Sequence, residues 1–201
     1  VYIHDNDDLE SVDLSALETV DSYVYIYENN ELEYVDLSSL QETGSYIQIQ
    51  SHDYLEHIAL DSLQTINGNL YLYQNDVWTD IELPVLEEIT GSFQISYHWS
   101  YGMEIINAPN LESIGSNLYI EYNYAIQEMD FSALTEVGGQ VYIYYSEDLD
   151  TLYLNSLEEV GSSFYLYGGQ QLEALELDSL IEIGGSMTIN YNTSLESLYA
   201  P

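Results

Sequence analysis

The residues best able to do chemistry in this chain are tyrosines and carboxylates. Its 201 residues include 22 Tyr and 36 Asp and Glu but no Lys, Arg or Cys, so the formal net charge is -36. Phenols stack, donate hydrogen bonds and pack at interfaces, and carboxylates bind hard cations such as Ca²⁺. Nucleic acids and membranes are poor partners for such a chain, because binding to phosphates depends on Lys and Arg and no apolar run is long enough to span a bilayer.

The tyrosines recur in two files, defined here as positions that repeat once per sequence repeat. One file contains Tyr2, Tyr25, Tyr71, Tyr119, Tyr142 and Tyr165, and the other contains Tyr27, Tyr73, Tyr144 and Tyr167. Stacked aromatic residues stabilise neighbouring strands, and a large exposed aromatic surface is also typical of a recognition site. Both interpretations stay open from sequence alone.

The carboxylates form files of their own. We consider as cation ligands Glu10, Asp13, Glu33, Asp36, Asp130, Glu173 and Glu176. Like charges that lie about 4.8 Å apart repel one another, and either screening salt or Ca²⁺ ions bridging adjacent carboxylates would relieve this repulsion. No established calcium-loop motif is present, so Ca²⁺ is a hypothesis and no other cofactor is expected.

The remaining polar residues give little sign of catalysis. His52 and His98 share a column with Asn6, Asn29, Asn75, Asn123 and Asn192, which we interpret as a ladder whose side chains satisfy backbone groups at a bend. The acids recur with the repeat rather than converging on one point. We therefore expect no enzyme, although polysaccharide cleavage by acid pairs, as in pectinase-like β-helices, remains an alternative.

An internal repeat predicts the elements that position these side chains. An apolar-x-aliphatic motif starts at positions 1, 24, 47, 70, 93, 118, 141, 164 and 187, so the spacing is 23 residues except for 25 after Phe93. Alternating apolar residues at each start predict a strand, and glycines such as Gly138, Gly161 and Gly184 favour a corner that closes the coil. Coils of this kind bury their apolar sides only by stacking. We predict an all-β fold, a parallel β-solenoid of about eight and a half coils, as a single domain over residues 1–201.

The repeat also resembles a known family. The pattern LxIxxNxxLxxLxLxSLxxIGG is similar to the receptor L-domain-like repeat, a relative of leucine-rich repeats found in receptor ectodomains, fungal cell-wall proteins and microbial surface proteins. The resemblance covers essentially the whole chain and implies a right-handed β-solenoid with an extracellular binding or structural role. The chain departs from the familiar receptors in its lack of cysteine and its high tyrosine content.

Two local features add to this interpretation. The fifth coil has two extra residues near the segment SYHWSYGM, and because insertions in solenoids form loops on one face, we expect Tyr97, Trp99 and Tyr101 to extend the binding surface. Trp78 takes a position that is usually Leu, so we expect it in the core. Asn192-Thr193-Ser194 is a glycosylation sequon.

The sequence favours a structural function. Val1 already lies at the start of a coil and Pro201 lies within one, so neither end shows a capping repeat, and we expect the solenoid to continue in a longer chain or in a filament. We predict an extracellular, filament-forming cell-surface protein that self-associates end to end or side by side. The alternative is a carbohydrate-binding or adhesin module that uses the tyrosines.

Overall fold

The computed structural model describes residues 1–98 and 102–200. Across these residues the chain is all-β, in short strands that recur three times per coil. No helix among them could cross a membrane.

Twenty-six strands follow one another along the chain. The first nine are β1 (Tyr2–His4), β2 (Ser11–Asp13), β3 (Thr19–Val20), β4 (Val24–Tyr27), β5 (Tyr34–Asp36), β6 (Glu42–Thr43), β7 (Ile47–His52), β8 (His57–Ala59) and β9 (Thr65–Ile66). The next nine are β10 (Leu70–Asn75), β11 (Asp80–Glu82), β12 (Glu88–Ile89), β13 (Phe93–Ser96), β14 (Ile105–Asn107), β15 (Ser113–Ile114), β16 (Leu118–Glu121), β17 (Glu128–Asp130) and β18 (Glu136–Val137). The last eight are β19 (Val141–Tyr144), β20 (Thr151–Tyr153), β21 (Glu159–Val160), β22 (Phe164–Tyr167), β23 (Ala174–Glu176), β24 (Glu182–Ile183), β25 (Met187–Asn190) and β26 (Ser197–Tyr199).

Each strand pairs in parallel with the equivalent strand of the next coil. The first strands of all coils form one nine-stranded sheet, β1-β4-β7-β10-β13-β16-β19-β22-β25, and the third strands form an eight-stranded sheet from β3 to β24. Partners are one repeat apart, as in Tyr142 opposite Tyr165. The predicted parallel β-solenoid of about eight coils with 23-residue spacing is therefore confirmed.

The core lies between the sheets and runs along the solenoid. Inward residues of the first strands, such as Ile26, Leu72 and Ile143, are fully buried, and they form one cluster with the leucines of the following segments. Residues that lie between them on the same strands are half-exposed, as in the alternating burial of Val141–Tyr144. The alternation of apolar and other residues in the sequence therefore corresponds to the alternation of buried and half-exposed side chains on each strand.

The second strands form a broken sheet. Pairing runs through β2-β5-β8, through β11-β14-β17-β20 and through β23-β26, but β8 does not pair with β11, nor β20 with β23. Trp78 lies just before β11, is fully buried as predicted, and donates from Nε1 to the Asp80 carbonyl at 2.8 Å. The first break thus lies beside a Trp in a column of smaller apolar residues, whereas the second lies beside Leu172, the usual residue type of that column.

The first strand of every coil ends at a residue with positive φ. This column contains Asp5, Glu28, Ser51, Gln74, Tyr97, Tyr122, Tyr145, Gly168 and Tyr191, with φ between 50° and 81°. Non-glycine residues rarely adopt this conformation. Here the stacking holds it in place, since the backbone N–H of one coil donates to the next, as from Tyr145 to the Tyr167 carbonyl at 2.9 Å.

The following column is the polar ladder expected from the sequence. Asn29, His52, Asn75, His98 and Asn123 are buried in it. The Asn123 amide nitrogen donates to the Ile95 carbonyl at 2.9 Å, and its oxygen accepts from the His98 backbone N–H at 3.3 Å. The ladder thus satisfies backbone groups that the corner removes from the sheets.

Loss of one ladder amide should destabilise the fold. Asn123→Ala leaves the Ile95 carbonyl and the His98 N–H unpaired in the core, so we expect the free energy of unfolding to fall by about 3 kcal/mol. Urea denaturation measures the change. The exposed Asn30 is the control, because Asn30→Ala should change stability by less than about 0.5 kcal/mol. Equal losses in the two variants would contradict this account of the ladder.

His98 should make the protein acid-sensitive. Burial lowers its pKa, and Nδ1 lies 2.8 Å from the Asn75 carbonyl. Because the folded-state pKa lies below the unfolded value of 6.5, the stability that neutral His98 provides is complete above pH 6.5 and declines as the pH falls further. The control is His98→Asn, because Asn is the usual residue in this column. As the pH falls, we expect the free energy of unfolding of wild type to decrease by up to about 1.4 kcal/mol per pH unit relative to this variant. Urea denaturation of the pair between pH 7 and pH 5 tests this, and parallel pH profiles would argue against it.

Candidate interaction surface

The outer side of the nine-stranded sheet carries most of the tyrosines, and we call it the Tyr face. Two files defined from the sequence lie on it, and their members are half-exposed, apart from the more exposed Tyr2. The structure brings together the predicted residues Tyr25, Tyr27, Tyr71, Tyr73, Tyr119, Tyr142, Tyr144, Tyr165 and Tyr167 on this face. Trp99 and Tyr101, which were also predicted to contribute, lie outside the described residues.

The rings of the Tyr face are in contact along the solenoid axis. Tyr142 and Tyr165 stack with centroids 4.9 Å apart and an interplanar angle of 14°. Tyr144 and Tyr167 lie 5.0 Å apart and are tilted by 41°. These separations are close to the spacing of paired strands, so the backbone register sets the spacing of the rings.

A third file of tyrosines, of which only Tyr97 was predicted from the sequence, belongs to the same face. Tyr97, Tyr122, Tyr145 and Tyr191 occupy the column with positive φ. A left-handed residue breaks the alternation of a strand, and these rings consequently pack beside the second file, with Tyr145 4.4 Å from Tyr144 and 5.1 Å from Tyr167. Gly168 in the same column was the available sign, because glycine is common where φ is positive.

The tyrosines divide into two groups with a gap between them. One group surrounds Tyr25 near the start of the chain and includes the stacked pair Tyr23 and Tyr46, 4.9 Å apart. The other extends from Tyr97 to Tyr191. Between them, Tyr71 and Tyr73 stack on each other at 5.6 Å and face Gln48, Gln50 and Gln94 on the neighbouring strands.

The Tyr face carries few of the carboxylates of the chain. Along the nine strands the first two files contain one carboxylate, Glu121, and the third file adds Asp5 and Glu28 near the start of the chain. Burial raises the pKa of Glu121, and Gln94 Nε2 donates to it at 3.2 Å. The negative charge of the chain is therefore concentrated on the other sides of the solenoid.

Contacts among the phenols alter their acidity. Hydrogen bonding with Tyr145 and burial raise the pKa of Tyr167 to about 12. Burial, together with a hydrogen bond to Tyr145, also raises the pKa of Tyr144. Tyr144 and Tyr167 therefore remain neutral above the usual titration range of tyrosine.

Several predicted cation ligands are engaged in turns. Asp13 Oδ1 accepts hydrogen bonds from Ser15 N and Oγ at 3.0 and 2.6 Å, and Asp36 does the same with Ser38. The hydrogen bonds from serine lower the pKa of both carboxyl groups. Asp130 likewise accepts from the Ser132 backbone N–H at 2.9 Å. These carboxylates have a local structural role whether or not a cation binds.

Of the other acidic candidates, Glu176 lies on a second strand, and Glu10, Glu33 and Glu173 lie just before one. Glu10 and Glu33 are exposed and stacked through their backbones. Glu173 and Glu176 line an open cavity of about 250 Å³ beside the break between β20 and β23. Within residues 1–98 and 102–200, no three Asp, Glu or His side chains are grouped so that they could hold a metal ion. Discrete calcium sites stay a prediction.

Asn192, the candidate for glycosylation, is part of the polar ladder. Its amide nitrogen donates to the Leu166 carbonyl at 3.2 Å, and its oxygen accepts from the Gly169 N–H at 2.9 Å. Attachment of a glycan to this nitrogen would compete with the ladder contact to Leu166.

Comparison with models of known families, with curated proteins and with solved structures gives no match. The fold shown is thus a parallel β-solenoid, and its resemblance to receptor L-domains rests on the repeat pattern alone.

The raised pKa of Tyr167 predicts a loss of stability in alkali. Because the folded-state pKa of about 12 exceeds the unfolded value of 10.0, the stability due to the neutral phenol is present below pH 10 and declines as the pH rises towards 12. We expect Tyr167→Phe to flatten this decline and to remove a late step from the phenolate absorbance titration. The exposed Tyr54, which lies outside the files, provides the control Tyr54→Phe. If both variants show the same alkaline loss of stability and the same titration curve as wild type, the contacts around Tyr145 do not raise the pKa of Tyr167.

Proposed function

We propose that this protein is an extracellular structural module whose copies associate side by side through their Tyr faces, as in a surface layer or filament. The observation that supports this most strongly is the separation of charge from the tyrosines. A chain with formal charge -36 places one carboxylate, Glu121, in the first two files and two more, Asp5 and Glu28, in the third.

Electrostatics favours this face over the others for contact between copies. Two molecules of the same sign repel wherever their acidic sides meet, and the repulsion weakens with distance and with salt. When Tyr faces meet, most of the carboxylates point away from the contact. The residue types on the face suit such a contact as well, since Tyr is enriched at interfaces and combines apolar area with a hydrogen-bonding group.

The dimensions of the face are also suitable. Nine strands at about 4.8 Å make a surface about 40 Å long, which is comparable with the length of an ordinary protein interface. The rings are held by each other and by the parallel register, so association orders few additional side chains.

We expect association to depend on the residues of the Tyr face. The double variant Tyr142→Gln, Tyr165→Gln introduces the residue that the same file already contains at Gln48 and Gln94, so the fold should persist. Sedimentation velocity over a range of protein concentrations should show at least about tenfold weaker association than wild type. The control Tyr54→Gln replaces an exposed tyrosine elsewhere and should leave association unchanged. Monomeric wild type, or equal behaviour of the two variants, would overturn the proposal.

Salt separates screening from cation bridging in the same assay. Screening predicts that association strengthens equally in NaCl and CaCl₂ at matched ionic strength. A further increase that is specific to CaCl₂ and is lost in Glu173→Gln, Glu176→Gln would support discrete calcium sites on the acidic side. If CaCl₂ gives no further increase, charge screening alone explains the effect of salt on association.

A carbohydrate-binding or adhesin function is the second candidate, and one observation favours it. Tyr71 and Tyr73 have no aromatic neighbour in their own files, and the amides of Gln48, Gln50 and Gln94 lie beside them. Sugars stack on aromatic rings, and amides hydrogen-bond to their hydroxyl groups. Along the stacked pairs, in contrast, the rings at 4.9 Å cover each other's faces. Glycan-array binding that is lost in Tyr71→Gln, with association intact, would support this function instead.

A further inference from the structure

We infer that Tyr142 and Tyr165 form a site of oxidative modification, at which a peroxidase-type one-electron oxidant joins their phenol rings into a dityrosine link between adjacent coils. This inference concerns chemistry within one molecule, so it does not rest on association between copies.

The pairing of the strands places the two rings in equivalent positions. Tyr142 and Tyr165 are direct partners in the register of β19 and β22. Their rings stack at a centroid distance of 4.9 Å and an interplanar angle of 14°. Since the side chains leave parallel strands in the same direction, the two rings lie beside each other in nearly parallel planes, which brings the face of one phenol next to the face of the other.

Face-to-face stacking is the geometry that the coupling requires. The unpaired electron of a phenoxyl radical lies in the π system, with much of its density on the ortho carbons. A new carbon–carbon bond therefore forms roughly perpendicular to both rings. Holding two reacting groups in this arrangement replaces a bimolecular encounter with an intramolecular step, which raises the rate greatly.

The reaction is balanced with hydrogen peroxide as the terminal oxidant. Each phenol gives up one electron and one proton to become a phenoxyl radical. The two radicals join through their ortho carbons, and the hydrogen on each of these carbons then moves through solvent to the phenol oxygen. The two electrons and two protons reduce one hydrogen peroxide to two waters, so two tyrosines and one peroxide give one dityrosine and two waters.

Among residues 1–98 and 102–200, oxidisable side chains other than tyrosine offer little competition. The chain has no cysteine, and Trp78, Met103 and Met129 are fully buried. Met187 is partly buried and reacts mainly by oxygen addition to its sulfur. Tyr142 and Tyr165 are half-exposed, so an oxidant reaches them from the surface.

The same file contains an internal control for geometry. Tyr119 precedes Tyr142 by one coil and is its direct partner in the register of β16 and β19. Its ring, however, lies 5.8 Å from that of Tyr142 at an angle of 76°. Within its file Tyr142 thus has a stacked neighbour on one side and an edge-on neighbour on the other. On its own strand Tyr144 also stacks on it, but at 5.6 Å and 29°, so the shorter and more nearly parallel contact favours coupling to Tyr165. The pair Tyr23 and Tyr46, at 4.9 Å and 2°, repeats the favourable geometry near the start of the chain.

The test treats dilute wild-type protein with a haem peroxidase and hydrogen peroxide and identifies cross-linked peptides by mass spectrometry. Trypsin does not cut a chain without Lys and Arg, so a protease that cleaves after Glu is used. Cleavage at residues 112, 121, 136, 147, 159 and 173 separates Tyr119, Tyr142 and Tyr165 into different fragments. We expect the Tyr142 to Tyr165 link to be at least about tenfold more abundant than the Tyr119 to Tyr142 link.

Two conservative variants test whether stacking, rather than exposure, determines which tyrosines become linked. Tyr165→Phe keeps the ring but cannot form the phenoxyl radical, so it should abolish the link, whereas Tyr119→Phe should leave its yield unchanged. Equal yields of the two links in wild type would overturn the inference. So would links confined to exposed tyrosines such as Tyr54 and Tyr199, joined between molecules. Monomeric wild type that still forms the internal link would reject the proposed association and support the cross-link.

Discussion

Parallel pairing of each coil with the next, at a fixed register of one repeat, is the interaction on which the rest of the structure depends. It aligns the apolar columns into a continuous core and the polar residues at the corner into a ladder. It also places the tyrosines close to strand spacing. Residues at equivalent positions of successive coils therefore line up along the solenoid. A residue type that recurs in the repeat consequently occurs many times along one side of the molecule.

The absence of basic residues places a second constraint on the molecule. Carboxylates have no cationic side chain other than histidine with which to pair, so the serines of the turns and solvent stabilise them, as at Asp13 and Asp36. Repulsion between acids is tolerable where they are exposed and screened. The first two files of the Tyr face contain one carboxylate, Glu121. Two molecules therefore repel each other least when they approach through this face. The proposed association follows from this division between the sides.

The corner after the first strand links stability to the surface. A residue with positive φ ends the strand, and the ladder residue that follows turns inward to satisfy the exposed backbone groups. The same bend directs Tyr122 and Tyr145 onto the Tyr face. Changes at this corner thus affect both the buried hydrogen bonds and the outward aromatic contacts.

The sequence by itself determined the coil length, the strands, the inward columns, the ladder and the first two tyrosine files, because each depends on a local period that strict repetition makes visible. It correctly placed Trp78 in the core. Except for Tyr97, which was expected in a loop, the third tyrosine file was missed, because a left-handed residue breaks the two-residue alternation from which outward positions were assigned. Only the tertiary structure decided which rings stack and which meet edge to edge, where the second sheet is broken, and that Asn192 is engaged in the ladder. These outcomes depend on the packing of one coil against its neighbours, which a single repeat does not specify.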